Sequence, residues 1–470
     1  MNKILYSIVD KYCPKFNKNV SDGCAKVLLE DLPRTLDVIF TDSIRSLSPQ
    51  IPLEYVGYRK ISPDEEFKNI ILNDNGKTVY DIAISDVYPV EYVFRFNGEE
   101  IRKPIYLLYC DNGNLLKISN TVYSITPVLS ETVISPSNIK IFVRLLKAKI
   151  DVNGKMKNFL FNGTKVSGIV LYAAIVRTKS LSIKDNLGSH YTSIFLYPLG
   201  KYGLKETLKK YLKIEDFTIS LGNVDHMRNE YNIWESTKVR PRNLKDQGYL
   251  GHDLKICVSK KYPLTPLLEN LIYGIIYTFD VLPHEAKNIY EGFVTGDIEA
   301  EKNEWRLILG IIAYKDSYSK DRVIQDMSEH FDALEGYVDS VIQSKLRNNN
   351  IIVNDFFDLL MVIGENFNIW TLNAKEYSSD INNRYIDIVY YLLHDIVVGF
   401  NTVILNLNKR AGKKIDGMLK KEATKIMQKN LSSRTIFNLV TAKEPNLTIQ
   451  AQNGSSTDLI YPKITALLED

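Results

Sequence analysis

A chain of 470 residues is longer than one ordinary hydrophobic core supports, so two or three domains are expected. Hydrophobic residues make up 45% and aromatics 11%, which excludes an intrinsically disordered protein. With 59 Lys and Arg against 56 Asp and Glu the net charge is only +3, so any contact with a polyanion has to come from a local patch.

From Ile4 to Leu47 the apolar residues are spaced for short helices, punctuated by Pro14, Pro33 and Pro49. Met1 to Val20 has no long apolar stretch and no small-residue cleavage site, which excludes a secretory signal. Cys13 and Cys24 match no common zinc spacing, and Cys110 and Cys257 stand alone, so all four read as reduced thiols of a cytosolic protein. The period then changes. Lys77 to Ile134 reads as successive strands, with turns at Asn97-Gly98 and Asp111-Asn112-Gly113. Another strand is expected from Lys140 to Lys149, followed by turns at Asn153-Gly154 and Asn162-Gly163, and LKETLKKYL predicts a helix over Leu204–Leu212. Thr237 to Lys261 is rich in basic residues, Arg240 and Arg242 among them, and carries Pro and Gly; it reads as an exposed loop or hairpin.

From Pro263 to Tyr314 the pattern is helical, with Pro283-His284-Glu285 as a second helix start. Val323, Met327, Phe331, Leu334 and Val338 line one side of an amphipathic stretch that Asn348-Asn349-Asn350 ends, and DFFDLLMVIGENFN follows it. The longest pattern lies within Asp380 to Lys429. Ile386, Val389, Leu393, Ile396, Phe400, Val403 and Leu407 recur at steps of three and four and predict one long helix. Its far end is basic: Lys and Arg at 409, 410, 413, 414, 420, 421, 425, 429 and 434 face only Asp416 and Glu422. The apolar runs near Leu267–Phe279 and Ile386–Leu407 are interrupted well short of the about 20 residues that span a bilayer, which points to a soluble protein. The last apolar stretch, LIYPKITALL, reads as a strand without a partner in its own chain.

Catalytic signatures are missing from the sequence: it has no Asp-x-Asp-x-Asp cluster for two-metal phosphoryl transfer, no phosphate-binding Gly-rich loop, no His-Glu-x-x-His and no Gly-x-Ser-x-Gly. The histidines at 190, 226, 252, 284, 330 and 394 are scattered and read as local hydrogen-bonding residues rather than metal ligands. His394 and Asp395 are neighbours on the expected helix, where adjacent side chains point about 100° apart, so they make a poor dyad.

Two stretches carry a resemblance. SSDINNRYIDIVYYLLHDIVVGFN resembles the DDIDHLGNRR-type segment of the multisubunit RNA polymerase β subunit, with Asn383 and Arg384 matching its Asn-Arg pair and Ile381 the apolar position before it. Asp380, Asn382 and Tyr385 depart from that pattern, where the family has His, Gly and a second Arg. PIYLLYCDNGNLLKISNTVYSITPVLSETVI is loosely similar to a strand pair of the same subunit, with Gly113, Leu116, Ile118, Asn120, Val122 and Val128 at its glycine, apolar and turn positions.

This resemblance implies an α+β, multidomain chain with protrusion-like and lobe-like domains. A first protrusion-like segment would cover residues 1–150, a lobe-like domain 151–350, a return to the protrusion 351–430, and the start of a fork-like region 431–470 that pairs with a partner chain. The chain resembles the amino-terminal half of a split β subunit of the giant-bacteriophage type. Such a half is non-catalytic and needs no cofactor of its own, the Mg²⁺ being expected on a β′-like partner. The implied partners are the carboxyl-terminal half of the β-like subunit, the β′-like chains, the DNA template and the RNA–DNA hybrid, and no membrane. The implied location is the cytoplasm of the infected bacterial host, with the virion as the other place. Arg384, Lys409, Arg410, Lys413, Lys414, Arg434, Arg240 and Arg242 are the expected nucleic-acid contacts, made to phosphates rather than base edges. A viral structural or assembly protein and a stand-alone nucleic-acid enzyme such as a primase are the competing readings.

Overall fold

A computed structural model describes residues 27–45, 47–62, 64–65, 87–108, 115–118, 121–126, 129–145, 148–176, 191–239, 251–314, 319–379, 384–386, 393–411 and 463–466. The chain divides into two units, residues 1–130 with 384–470 (unit 1) and residues 131–383 (unit 2). The fold class is α+β.

Unit 1 begins with helix α1, Leu32–Ile44, whose Pro33 suits a first turn and whose Leu32, Leu36, Ile39 and Phe40 make a buried stripe. Strands β1 (Leu53–Lys60), β2 (Val87–Phe96) and β3 (Glu99–Leu108) form an antiparallel meander. The β2–β3 hairpin turns at Asn97-Gly98 as expected, both with positive φ (50° and 80°), the geometry of a two-residue turn that Asn-Gly favours. Val90, Tyr92, Phe94 and Phe96 alternate inward along β2. Short strands β4 (Leu115–Ile118), β5 (Thr121–Thr126) and β6 (Leu129–Glu131) follow. Within the stretch expected to be strands, residues 77–86 and 109–114 lie outside the described residues.

Unit 2 opens with β7 (Ile134–Pro136), β8 (Lys140–Arg144), β9 (Lys149–Phe161), β10 (Thr164–Ala174) and β11 (Tyr191–Ser193). Helices α2 (Leu196–Tyr202) and α3 (Leu204–Leu212), then β12 (Phe217–Leu221), β13 (Tyr231–Ser236) and β14 (Leu254–Ser259), complete its sheet half. The strand order is β11-β10-β9-β13-β14-β12, with β8 also on β9 and β7 on β8. A helical half follows: α4 (Pro266–Val281), α5 (Glu285–Thr295), α6 (Ile298–Tyr314), α7 (Lys320–Glu335), α8 (Ser340–Asn348), α9 (Phe356–Leu372) and α10 (Ala374–Ser379). The expected stripe Val323, Met327, Phe331, Leu334 and Val338 is buried throughout.

Two expectations in unit 2 need correction. Asn162-Gly163 turns the β9–β10 hairpin, but Asn153-Gly154 lies inside β9 and turns nothing. Glycine is required there for space: a Cβ at Gly154 would stand 2.8 Å from Cε1 of Phe367 on α9. The basic stretch Thr237–Lys261 also contains more than an exposed loop, since LKICVS forms β14, a largely buried strand paired with both β13 and β12.

The β9–β10 hairpin changes its buried side along its length. Ile150 and Val152 are buried at even positions, Phe159 at an odd one, and Gly154, Lys155 and Met156 are exposed in succession between them. On β10 Gly168 and Val170 are buried and then Leu171 and Ala173, the same changeover read in the opposite direction. Lys149–Asn153 pair with β8 and Phe159–Phe161 with β13, on the side of β9 away from β10; Gly154–Asn158 have no strand beside them there. Tyr273 of α4 stacks on Phe159 at 4.5 Å between centroids, and a Cβ at Gly168 would meet its ring at 2.5 Å. Gly168→Ala is therefore expected to destabilise unit 2 by about 1–3 kcal/mol. Truncating the ring with Tyr273→Leu should recover part of that loss in the double variant, and simple additivity in urea unfolding would count against this packing account.

The chain then returns to unit 1 through β15 (Arg384–Ile386), which pairs with β6, and α11 (His394–Ala411). Ile396, Phe400, Val403 and Leu407 are buried as the helical spacing requires, joined by Val397 and Ile404. Ile386, however, belongs to a strand and not to the long helix; RYIDIVYY is dense in β-branched and aromatic residues, which favour a pleated surface. Val389 and residues 412–429 of the expected helix lie outside the described residues. Near the end, β16 (Lys463–Ala466) pairs antiparallel with β5, so the apolar strand expected to lack a partner has one in its own chain.

Candidate nucleic-acid interface

Helix α11 is held by its apolar stripe. Phe400 lies 4.5 Å from Phe40 of α1 and 5.6 Å from Phe94 of β2, between ring centroids. Further along, Asn408 Oδ1 accepts a hydrogen bond from Ser48 N at 2.8 Å, which ties this part of the helix to the segment after α1. Lys409 and Arg410 stand near the end of the described part of this helix. Arg384 stands on β15. Lys413, Lys414, Arg434, Arg240 and Arg242 lie outside the described residues.

In unit 2 the segment carrying Arg240 and Arg242 leaves β13 beside β9: Thr237 Oγ1 donates to the carbonyl of Asn158 at 3.1 Å. Lys238 Nζ donates to the carbonyl of Asp280 at 3.1 Å, and the Ser236 hydroxyl bonds the Asp280 carboxylate. Burial raises the Asp280 carboxyl above the usual range, opposed by the Ser236 hydroxyl and by the charges of Lys238, His252 and Lys157. Lys157 Nζ sits 6.0 Å from the Tyr277 ring centroid. Lys157 and Lys238 thus flank the exit of the basic segment, with Lys155 two residues along β9 from Lys157. Sequence reasoning missed Lys155 and Lys157, although Lys-Met-Lys in a strand sets both lysines on one face.

A second polar cluster reads as structural. Lys210 Nζ and the Tyr211 hydroxyl both reach Asp358 Oδ1, at 3.0 and 2.7 Å, and Asn354 bonds the other carboxylate oxygen, clamping α3 to the first turn of α9. Burial works to raise the Asp358 carboxyl, but the hydrogen bonds from Tyr211 and Lys210 outweigh it and hold the group low.

Among the described residues no group of three or more His, Cys, Asp or Glu stands where it could hold a metal ion. No helix among them is long and apolar enough to cross a membrane. Cys257 is a free, buried thiol, and burial raises it to about 11. A family model described as non-virion RNA polymerase subunit matches residues 1–452. No curated protein matches the chain.

Proposed function

We propose that this chain, which belongs to the family of non-virion RNA polymerase subunits, is the non-catalytic amino-terminal portion of the β-like subunit of a phage multisubunit DNA-dependent RNA polymerase. It scaffolds the complex and lines the path of the template and the RNA–DNA hybrid. The observation that carries the reading beyond the family is the nesting of the chain: residues 1–130 and 384–470 make one unit around an inserted unit of residues 131–383. That order supports a protrusion-like unit 1 interrupted by a lobe-like unit 2, with the Asn383-Arg384 motif at the point of return. The fork-like role falls to residues 431–470. The carboxyl-terminal half of the β-like subunit and the β′-like chains are its partners, the latter holding the catalytic Mg²⁺, and the enzyme works in the cytoplasm of the infected bacterium.

The basic end of α11 and the residues beyond it serve phosphates of the template or hybrid. Purification of the tagged chain from infected cells is expected to bring down β-like and β′-like chains; recovery of capsid proteins alone would favour the structural-protein reading instead. Changing Lys409, Arg410, Lys413 and Lys414 together to Ala should leave that assembly intact and weaken template binding. The slope of log affinity against log salt should become shallower by roughly 0.9 for each duplex phosphate contact removed. Unchanged affinity and slope in an assembled variant would remove the basic run from the interface.

A further inference from the structure

Register assigns Lys155 opposite Val170, Lys157 opposite Gly168 and Asn153 opposite Tyr172 across the β9–β10 hairpin, and Tyr172 opposite Ser193 on β11. Because side chains alternate along a strand, Lys149, Lys155 and Lys157 share a face with Tyr172 and Tyr191. Helix α4 covers the part of that face at Phe159 and Gly168 and borders Lys157 through Tyr277, so the open part runs from Lys157 past Lys155 to Lys149 and the two tyrosines. Tyr172 stands diagonally from Lys155, about 7–8 Å away on such a ladder. The rings of Tyr172 and Tyr191 meet edge to face at 5.7 Å, and Tyr191 is 53% exposed. Lys149 and Lys155 are exposed and Lys157 half-buried. The acid on this stretch of β9, Asp151, is already engaged by Arg144 at 2.9 Å and Lys140 at 3.8 Å. Lysines at an open strand edge can be explained as guards against edge-to-edge pairing. That explanation leaves the exposed Tyr191, set against the half-buried Tyr172 on the same face, without a reason.

We propose that this open part of the face of unit 2 binds single-stranded nucleic acid, with Lys155 and Lys157 on successive phosphates, Lys149 on a phosphate about 20 Å further along the strand, and the Tyr172–Tyr191 pair as the platform for a base. Alternate residues of β9 are about 6.7 Å apart, a spacing suited to an extended strand. An aromatic platform serves only bases that are free to leave a stack, which selects single strands over duplex. The inference deepens the polymerase reading and rests on it for the source of the strand.

The test uses the full chain and fluorescein-labelled oligonucleotides of about 16 nucleotides: oligo-dT, oligo-U and a duplex, read by anisotropy across salt. Both single strands are expected to bind more tightly than the duplex, and the tighter of the two identifies the sugar. Lys155→Gln with Lys157→Gln should weaken binding and flatten the salt slope by roughly 1.4, for two single-strand phosphates. Tyr191→Ala should cost roughly five-fold or more, and Tyr191→Phe, which keeps the ring, should retain affinity. Duplex bound as tightly as single strand, or an unchanged slope in the lysine variant, would overturn the proposal. Copurification with the polymerase chains tests the parent reading separately: if the unaltered chain fails to assemble but binds oligo-dT or oligo-U as described, the polymerase assignment fails and this site stands.

Discussion

Phe400→Ala is expected to cost unit 1 about 3–5 kcal/mol, a large share of the roughly 5–15 kcal/mol that holds an ordinary domain. The ring is fully buried and belongs to an aromatic cluster: Phe40 lies 5.5 Å from Phe94 and 5.1 Å from Tyr92, and Phe400 closes over the first two. Removing it leaves a cavity lined by rigid rings that cannot collapse, and it also removes edge and tilted contacts worth about 0.5–1.5 kcal/mol per pair. Phe400→Leu keeps most of the volume and should cost less than half as much. Urea unfolding of the full chain, followed by hydrogen exchange in α1 and β2, would report the loss in unit 1. A change below about 1 kcal/mol would mean that α11 is not anchored through this ring.

The second large effect is on pH. His330 on α7 is fully buried beside Tyr197 and Phe331, each 6.0 Å away between ring centroids, and burial pushes its imidazole down to about 3. Above pH 6.5 the ring is neutral in both folded and unfolded chains, so it contributes no pH dependence. Below 6.5 the unfolded chain takes up a proton that the folded chain refuses, and stability falls by about 1.4 kcal/mol per pH unit until the folded ring titrates near 3. Carboxylates enter below about pH 5, so the clean window is pH 6.5 to 5. There the stability difference between the wild type and His330→Gln should shrink by about 2 kcal/mol in favour of the variant as the pH falls. Parallel curves for the two proteins across that window would show that His330 is accessible to protons.

The parts of this fold that could be read in the sequence are those set by local rules. The stripe Ile396, Phe400, Val403 and Leu407 follows from helix period alone, and Asn97-Gly98 and Asn162-Gly163 follow from the positive φ that short hairpin turns require. Asn153-Gly154 looks identical on paper. Its glycine answers to Phe367, more than two hundred residues away, and no local pattern carries that information. Ile386 misled for a related reason: it stands in helical step with Val389 and Leu393 along the sequence, yet its backbone is claimed by β6. At the candidate interface Lys409 and Arg410 were visible as a charge run. Lys155 and Lys157 were not, because two lysines flanking a methionine acquire meaning only when strand register brings Tyr172 and Tyr191 to their side.

Unit 1 is made of the first and the last parts of the chain, and this sets a timetable for a nascent protein. Between Phe94 and Phe400 a ribosome adds about 300 residues, which at roughly 5–20 residues per second takes roughly 15–60 s. Unit 2 emerges whole within that interval and can close on its own. Phe40, Tyr92 and Phe94 meanwhile wait for the helix that covers them, so unit 1, begun before unit 2, is completed after it, and a chaperone that shields aromatic surface would act on it during that delay.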